Sequence, residues 1–325
     1  MRILIWHVHG SWTTAFVQGG HDYVLPVTTD RGPDGRGRAA TWDWPHNAVE
    51  VPPEQLRHTD LDVVVLQRPH ELELVRRWTG RRAGRDLPAV YLEHNTPGGD
   101  VPFSRHPLAD QSEIPVVHVT PFNRLMWDCG NAPTAVVEHG IVDPGHRYTG
   151  ELGRAAVVVN DPVRRGRAVG TDLLERMAGA VPLDVFGIAV SQLAGTLDVP
   201  AGRFATYEGL SQARLHTELS RRRLYLHTSR WTSLGLSLLE AMMLGMPVLA
   251  LATTEAVSTV DPSAGRVSTS VDVLLEEARR LVQDPDRARR MGDAARESAL
   301  QRHGLKQFLD RWDVVLGDAV ARHGR

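Results

Sequence analysis

The sequence predicts an α/β protein made of two consecutive open parallel sheets along 325 residues. Three observations predict it. Short apolar runs such as Val63-Val64-Val65-Leu66 alternate with stretches of helical pattern, as parallel strands joined by crossover helices do. The alternation restarts at Ala155, after a glycine-bearing connection at Gly145–Gly153. A chain of this length is also better divided between two cores than gathered into one.

In the first half, Ile3–Val8 reads as a buried strand and His9-Gly10-Ser11 as a tight turn after it. Further strands are predicted at Leu61–Gln67, Ala89–Glu93, Val116–Thr120 and Ala135–Glu138, with a helix around Glu71–Thr79. Arg31–Arg38, rich in glycine and arginine, reads as a surface loop. In the second half, strands are predicted at Ala155–Asn160, Leu183–Gly187, Leu224–Thr228 and Pro247–Ala252. Helices are predicted at Gly170–Ala180, Ser211–Arg221 and Leu236–Leu244 between them, then Val271–Gln283, Asp286–Arg302 and Leu305–Arg322. On the last helix Phe308, Trp312 and Val315 share one face, which predicts a packing surface.

Composition narrows the function. Apolar residues make up 42% and charged residues 23%, and the net charge of −2 lacks the basic excess of a generic nucleic-acid binder. Lys306 is the single lysine, so an anion site here relies on arginine, histidine or backbone amides. Cys129 is the single cysteine, which excludes an intrachain disulfide and a cysteine metal cage. The opening apolar run reaches His7 too soon for a secretory signal, and no stretch has the ~20 apolar residues needed to cross a bilayer. The expected location is cytoplasmic. Arg76-Arg77-Trp78 with Arg81, Arg82 and Arg85 forms a basic cluster, which reads first as a solvated helix end and leaves room for peripheral contact at the inner membrane face.

The strongest local pattern runs from Ser229 through Arg230, Trp231, Thr232, Ser233, Leu234, Gly235 and Leu236 to Glu240-Ala241-Met242, then Gly245-Met246-Pro247. A strand would end at the Ser-Arg pair and glycine would open a helix, whose unpaired N–H groups favour a diphosphate. Gly245 and Pro247 would then stop that helix and start a strand. This order and spacing resembles the donor-site segment of the retaining family 4 glycosyltransferases. A second stretch, Val157–Leu174, resembles the first strand and loop of that family's donor domain.

The resemblance implies a GT-B type fold, two Rossmann-like domains facing across a cleft. It gives residues 1–147 to the acceptor side and 148–304 to the nucleotide sugar, with 305–325 a helix packing back on the first domain. It implies hexose transfer from a nucleotide diphosphate sugar to a hydroxyl acceptor (a small molecule, glycan or lipid), with anomeric configuration kept. No cofactor or metal is expected, the nucleotide sugar being a substrate.

For the donor, the resemblance assigns Gly10, Arg164, Arg165, Arg167, Tyr207, Gly209, Thr232, Ser233, Leu234, Gly235, Leu236 and Glu240. Glu240 would accept from the ribose hydroxyls and Arg164 would meet the phosphates. Tyr207 and Gly209 would lie beside the nucleobase. His9, Ser11 and His94 fall on the acceptor side, and His94, Arg164 and Glu240 form the expected catalytic set. Val137–Asp143 resembles the segment closing the first domain, where Gly140 makes the turn and His139 packs.

Two positions depart from the family. Thr232 stands where the first of two glutamates usually falls, and Val169 stands at a lysine position, so Arg165 or Arg167 is expected to supply the second charge. These departures keep a non-catalytic sugar-nucleotide binder as an alternative, with an epimerase on the same plan behind it.

Overall fold

The computed structural model describes residues 1–323, which divide into two compact units. The first comprises Met1–Val142 with the chain from Leu305 onward, and the second Asp143–Gly304. Residues 143–147 thus go with the second unit. Arg296 holds Asp143 at 2.8 Å, and the amides of Arg147 and Tyr148 donate to the Leu244 carbonyl.

In the first unit the strands are β1 (Arg2–Ile5), β2 (Asp22–Pro26), β3 (Ala48–Val51), β4 (Val63–Leu66), β5 (Ala89–Glu93), β6 (Val116–His118) and β7 (Thr134–Val136). They form one parallel sheet in the order β3-β2-β1-β4-β5-β6-β7. Its helices are α1 (Gly10–Phe16), α2 (Glu71–Thr79) and α3 (Pro121–Met126). The buried runs of β1 and β4 sit at its centre, as their unbroken apolar sequences require.

The second unit carries β8 (Leu152–Val158), α4 (Pro162–Arg165), α5 (Leu174–Ala180), β9 (Leu183–Phe186), β10 (Phe204–Tyr207), α6 (Gln212–Arg221) and β11 (Arg222–His227). It continues with α7 (Leu236–Leu244), β12 (Val248–Leu251), α8 (Ala256–Thr259), β13 (Gly265–Ser268), α9 (Val271–Gln283) and α10 (Pro285–His303). Its parallel sheet has the order β10-β9-β8-β11-β12-β13. One core joins Val157, Leu183, Leu226 and Leu249 of the strands to Met177 on α5 and Leu281 on α9.

Four strands escaped the sequence reading: β2, β3, β10 and β13. Three of them, β3, β10 and β13, are edge strands with partly exposed residues, and β2 lies next to an edge, so their apolar runs are short or mixed with polar residues. The helix expected from Gly170 begins as a 3-10 turn at Thr171–Leu173 and becomes α-helical at Leu174. The final helix α11 (Leu305–His323) buries Phe308, Trp312, Leu316 and Ala319 within the first unit. Leu316, four residues past Trp312, takes the place expected for Val315, which is only half-buried. Trp312 packs edge-on against Trp12 and Phe16.

Candidate functional site

In each sheet the strand order reverses at one point, between β1 and β4 in the first and between β8 and β11 in the second. Connections leave such neighbours in opposite directions, so a crevice opens at their carboxyl ends. The His9 segment after β1, the arginine loop after β8 and the Ser229–Gly235 segment after β11 emerge at these two places.

In the second unit, the loop after β8 and the segment after β11 are tied together by hydrogen bonds. Thr228 Oγ1 donates to the Val169 carbonyl at 2.6 Å, and the amides of Arg230 and Trp231 donate to the Ala168 carbonyl at 2.8 and 3.2 Å. Gly170 has φ +80°, and a Cβ there would lie 2.3 Å from the Thr228 carbonyl oxygen. Only glycine permits both that backbone and that approach. The arginine loop is thereby fixed beside the strand that leads to α7.

The three loop arginines differ. Arg164 is exposed and pairs with Asp161 at 2.7 Å. Arg167, expected as a second phosphate charge, is instead tied to Asp172 at 2.8 Å. Arg230 grips the same carboxylate at 2.6 and 2.9 Å and donates to the Arg167 carbonyl. Partial burial pushes the Asp172 carboxyl up, but hydrogen bonding to Arg230 and the charges of Arg230 and Arg167 outweigh it and hold it below its ordinary value. Arg165 makes no side-chain ion pair among the described residues. Burial, with the Arg164 charge, lowers its pKa. It is the loop cation still short of a counter-ion. Val169 is absent from this polar set for a packing reason: it is 2% exposed within the core of the second unit.

Gly235 is the N-cap of α7 with φ −69° and ψ 118°, a conformation open to any residue. Glycine opens the helix as expected, but not for its backbone freedom. Glycine is needed because a Cβ would lie 2.5 Å from Cε1 of His227. Burial drives the His227 imidazole down to about 4, so the ring is neutral at pH 7. No side chain caps this helix start, which leaves its first amides as donors. Ser233 and Leu234 are buried, whereas Thr232 and Leu236 are half-buried. Glu240 is the one charged residue of α7 and is 5% exposed. Its Oε2 lies 3.6 Å from His216 Nε2 on α6.

Tyr207 ends the edge strand β10 and stacks on Phe186 at 4.7 Å, with the Arg222 guanidinium 4.9 Å from its ring. Arg222 is held by Asp184 and Glu218. The Tyr207 ring is thus engaged in a stack along the sheet rather than in contact with the two joined loops. Gly209 has φ +72° and open space around it, and Glu208 between them accepts from the amides of Ala189 and Ser191.

In the first unit, the turn expected at His9-Gly10-Ser11 is the start of α1, where His9 is the N-cap and its carbonyl accepts from Thr13. Gly10 faces Trp42, whose Nε1 would be 3.3 Å from a Cβ, and Ser11 is half-buried. The ring of His9 lies 3.9 Å from that of His94, and His94 stacks with His139 at 6.3 Å. Gln67 donates its amide to the Trp6 carbonyl at 2.7 Å, so its Oε1 faces His94 Nε2 at 3.0 Å. That oxygen only accepts, which assigns the proton to Nε2 of a neutral His94. Burial, then the charges of His9 and His139, hold His94 well below the ordinary imidazole value, and burial takes His9 to about 4.

Sequence reasoning missed Arg230 and Asp172 as a pair, His216 opposite Glu240, and Gln67 against His94. Arg230 and Asp172 both lie in the segments read as motifs, but they are 58 residues apart and nothing in either segment announces the pairing. The basic cluster at the end of α2 and just beyond it is partly neutralised, Arg76 by Glu73 and Arg82 by Asp86, while Arg77 lies over the Trp78 ring. Among the described residues, no group of three or more His, Cys, Asp or Glu side chains is arranged to hold a metal ion, and no helix is long and apolar enough to cross a membrane.

Residues 203–298 match the family model for glycosyl transferases group 1. No curated protein matches the chain. Among solved structures, HepE from Anabaena in complex with UDP-glucose is similar at 15% identity and a TM-score of 0.74, covering 98% of this chain and 100% of that one. Sucrose-phosphate synthase from Thermosynechococcus elongatus is similar at 14% identity and a TM-score of 0.72, covering 99% of each chain. TarM is matched at 15% identity and a TM-score of 0.60 over 78% of this chain, which spans about half of TarM, 54% of its length. Two parallel sheets of seven and six strands give the chain the GT-B fold, and within its second unit residues 203–298 are similar to the glycosyl transferases group 1.

Proposed function

We propose that the protein transfers a hexose from a nucleotide diphosphate sugar to a hydroxyl acceptor with the anomeric configuration kept. The observation that carries this reading is the joining of the arginine loop to the β11–α7 segment at the crossing point of the second sheet. A diphosphate bound there meets the uncapped amides of Leu236 and Ser237 and the Arg165 guanidinium. Arg164 joins by exchanging Asp161 for phosphate. Glu240 accepts from the ribose, and Thr232 reaches a sugar hydroxyl. On the acceptor side the reading assigns His9, Ser11 and neutral His94 at the β1–β4 crossing. Because HepE was crystallised with UDP-glucose, uridine is the first base to test.

In the reaction the anomeric C–O bond to the diphosphate breaks as the acceptor oxygen bonds the same carbon. The acceptor proton passes to the departing diphosphate, so no protein nucleophile is required. The chain's share is positioning, together with stabilising the charge that develops on the leaving group.

Titration calorimetry with UDP, GDP and ADP tests the site. Arg165→Ala is expected to weaken the tightest of them about 10- to 100-fold, as loss of a charge-assisted contact of ~1.5–3 kcal/mol would. Arg164→Ala is expected to cost less, because Asp161 already competes for that guanidinium. Unchanged affinity in both variants removes the assignment. Thr232 and the buried Val169 favour a second reading, a sugar-nucleotide binder without turnover. Tight donor binding with neither transfer nor donor hydrolysis over a panel of acceptors would decide for it.

A further inference from the structure

The sheet of the first unit has a second opening on its carboxyl edge, beside α3. β6 ends at His118, and Thr120 caps α3 by accepting from the Asn123 amide at 3.0 Å. Pro121, Arg124 and Leu125 fall on one face of that helix, and with Val136 at the end of β7 they line an open groove of about 500 Å³. Leu125 is 80% exposed, and the backbone of Asp128 pairs with Ser104 and His106, which brings the 84% exposed Phe103 to the same margin. Large apolar side chains gathered at one margin mark a contact surface.

The groove carries one cation. Arg124 is exposed and its guanidinium makes no ion pair or hydrogen bond among the described residues, while the carboxylates of Asp110 and Asp128 are taken by Arg105. Burial first, then the charges of His106 and Arg124, hold the His118 imidazole at about 4, so the guanidinium leans over the end of β6. Strand register fixes the distance to the acceptor-side histidine. Glu93 of β5 pairs with His118 of β6, and His118 with Val136 of β7. Two strand spacings put Val136 about 10 Å across the sheet from Glu93, and His94 is the next residue. The Trp127 ring nitrogen and the Asn123 side-chain amide donate to the Asn95 carbonyl at 2.8 and 3.2 Å, which locks α3 to the segment carrying His94.

We infer that this groove is an acceptor subsite, and that the acceptor carries a carboxylate or phosphate next to an apolar portion. Arg124 pairs with the anionic group, and Pro121, Leu125 and Val136 pack on the apolar part. The inference rests on the proposed transfer reaction, with the accepting hydroxyl beside His94.

The test uses the full chain with phenyl β-glycosides of glucose, galactose and mannose, whose para position bears a carboxylate, a phosphate or a neutral carboxamide. NMR titration measures binding, and mass spectrometry measures transfer to them from UDP-, GDP- and ADP-sugars. The charged glycosides are expected to bind about fivefold tighter than the carboxamide, the value of one exposed charge pair. Arg124→Gln brings the three to parity, and Leu125→Ser weakens all three alike. Whichever charged group binds tighter names the acceptor's anion. Excess UDP leaves the probes in place, and transfer favours the charged glycosides until Arg124 is replaced.

Equal binding of charged and neutral probes, a preference that survives Arg124→Gln, or displacement by UDP overturns the subsite and leaves the transferase reading standing. So does binding only to phosphatidylglycerol vesicles, lost in Arg124→Gln and Leu125→Ser, which gives the groove to a bilayer. Probe binding that depends on Arg124, with no product from any donor, overturns the transferase reading and the acceptor role with it.

Discussion

Adding one methyl group at Gly235 tests the account of the α7 entrance. With φ −69° and ψ 118°, Ala fits the backbone, and the stiffer unfolded chain by itself would favour Gly235→Ala by ~0.4–1 kcal/mol. Against this, the new Cβ would stand 2.5 Å from Cε1 of His227 and 3.3 Å from its Nδ1. Carbon atoms pack at ~3.5–4.0 Å, so the ring has to retreat by about 1 Å. It is 5% exposed and has little room to do so. Overpacking of this kind costs ~1–3 kcal/mol, and the expected net is a loss of about 1–2 kcal/mol.

Urea unfolding of the full chain measures the loss, and the nucleotide diphosphate affinity measured in parallel reads the displaced helix start. In a His227→Ala background the obstacle is gone, and the same glycine substitution becomes neutral or stabilising. That gives a coupling of about 2 kcal/mol between the two positions. A Gly235→Ala protein as stable as the parent, or one that loses as much in the His227→Ala background, would refute the argument that ring proximity demands glycine there.

Val169→Lys restores the residue that the family resemblance calls for, yet it buries an ammonium in the core of the second unit; a stability loss of ~3 kcal/mol or more and no gain in diphosphate affinity are expected by urea unfolding and calorimetry. Burial lowers the imidazoles of His118 and His227 from 6.5 to about 4, so their neutral forms stabilise the fold fully above about pH 6.5. Below that the unfolded chain takes protons the folded one refuses, and the contribution, about 3 kcal/mol each, is lost as pH falls towards 4; His118→Asn and His227→Asn are each expected to flatten the stability curve between pH 6.5 and 4. Trp312→Ala removes a side chain 1% exposed and packed on Trp12 and Phe16, and should cost the first unit ~3–5 kcal/mol in urea unfolding.

The sequence by itself determined the two-sheet plan, because fully buried parallel strands must be written as largely apolar runs, and β1, β4 and β12 carry them. It also determined the α7 segment, whose glycine, buried glutamate and Gly-x-Pro break follow one another locally. The edge strands β3, β10 and β13 were not legible, since partial exposure relaxes the apolar pattern that marks a strand. Tertiary structure alone decided which arginine has a counter-ion, because the Asp172–Arg230 pair joins residues 58 apart. It also decided why position 235 is glycine. The backbone there is ordinary, and the constraint comes from the His227 ring folded against it from the preceding strand, a steric relation that no local pattern encodes.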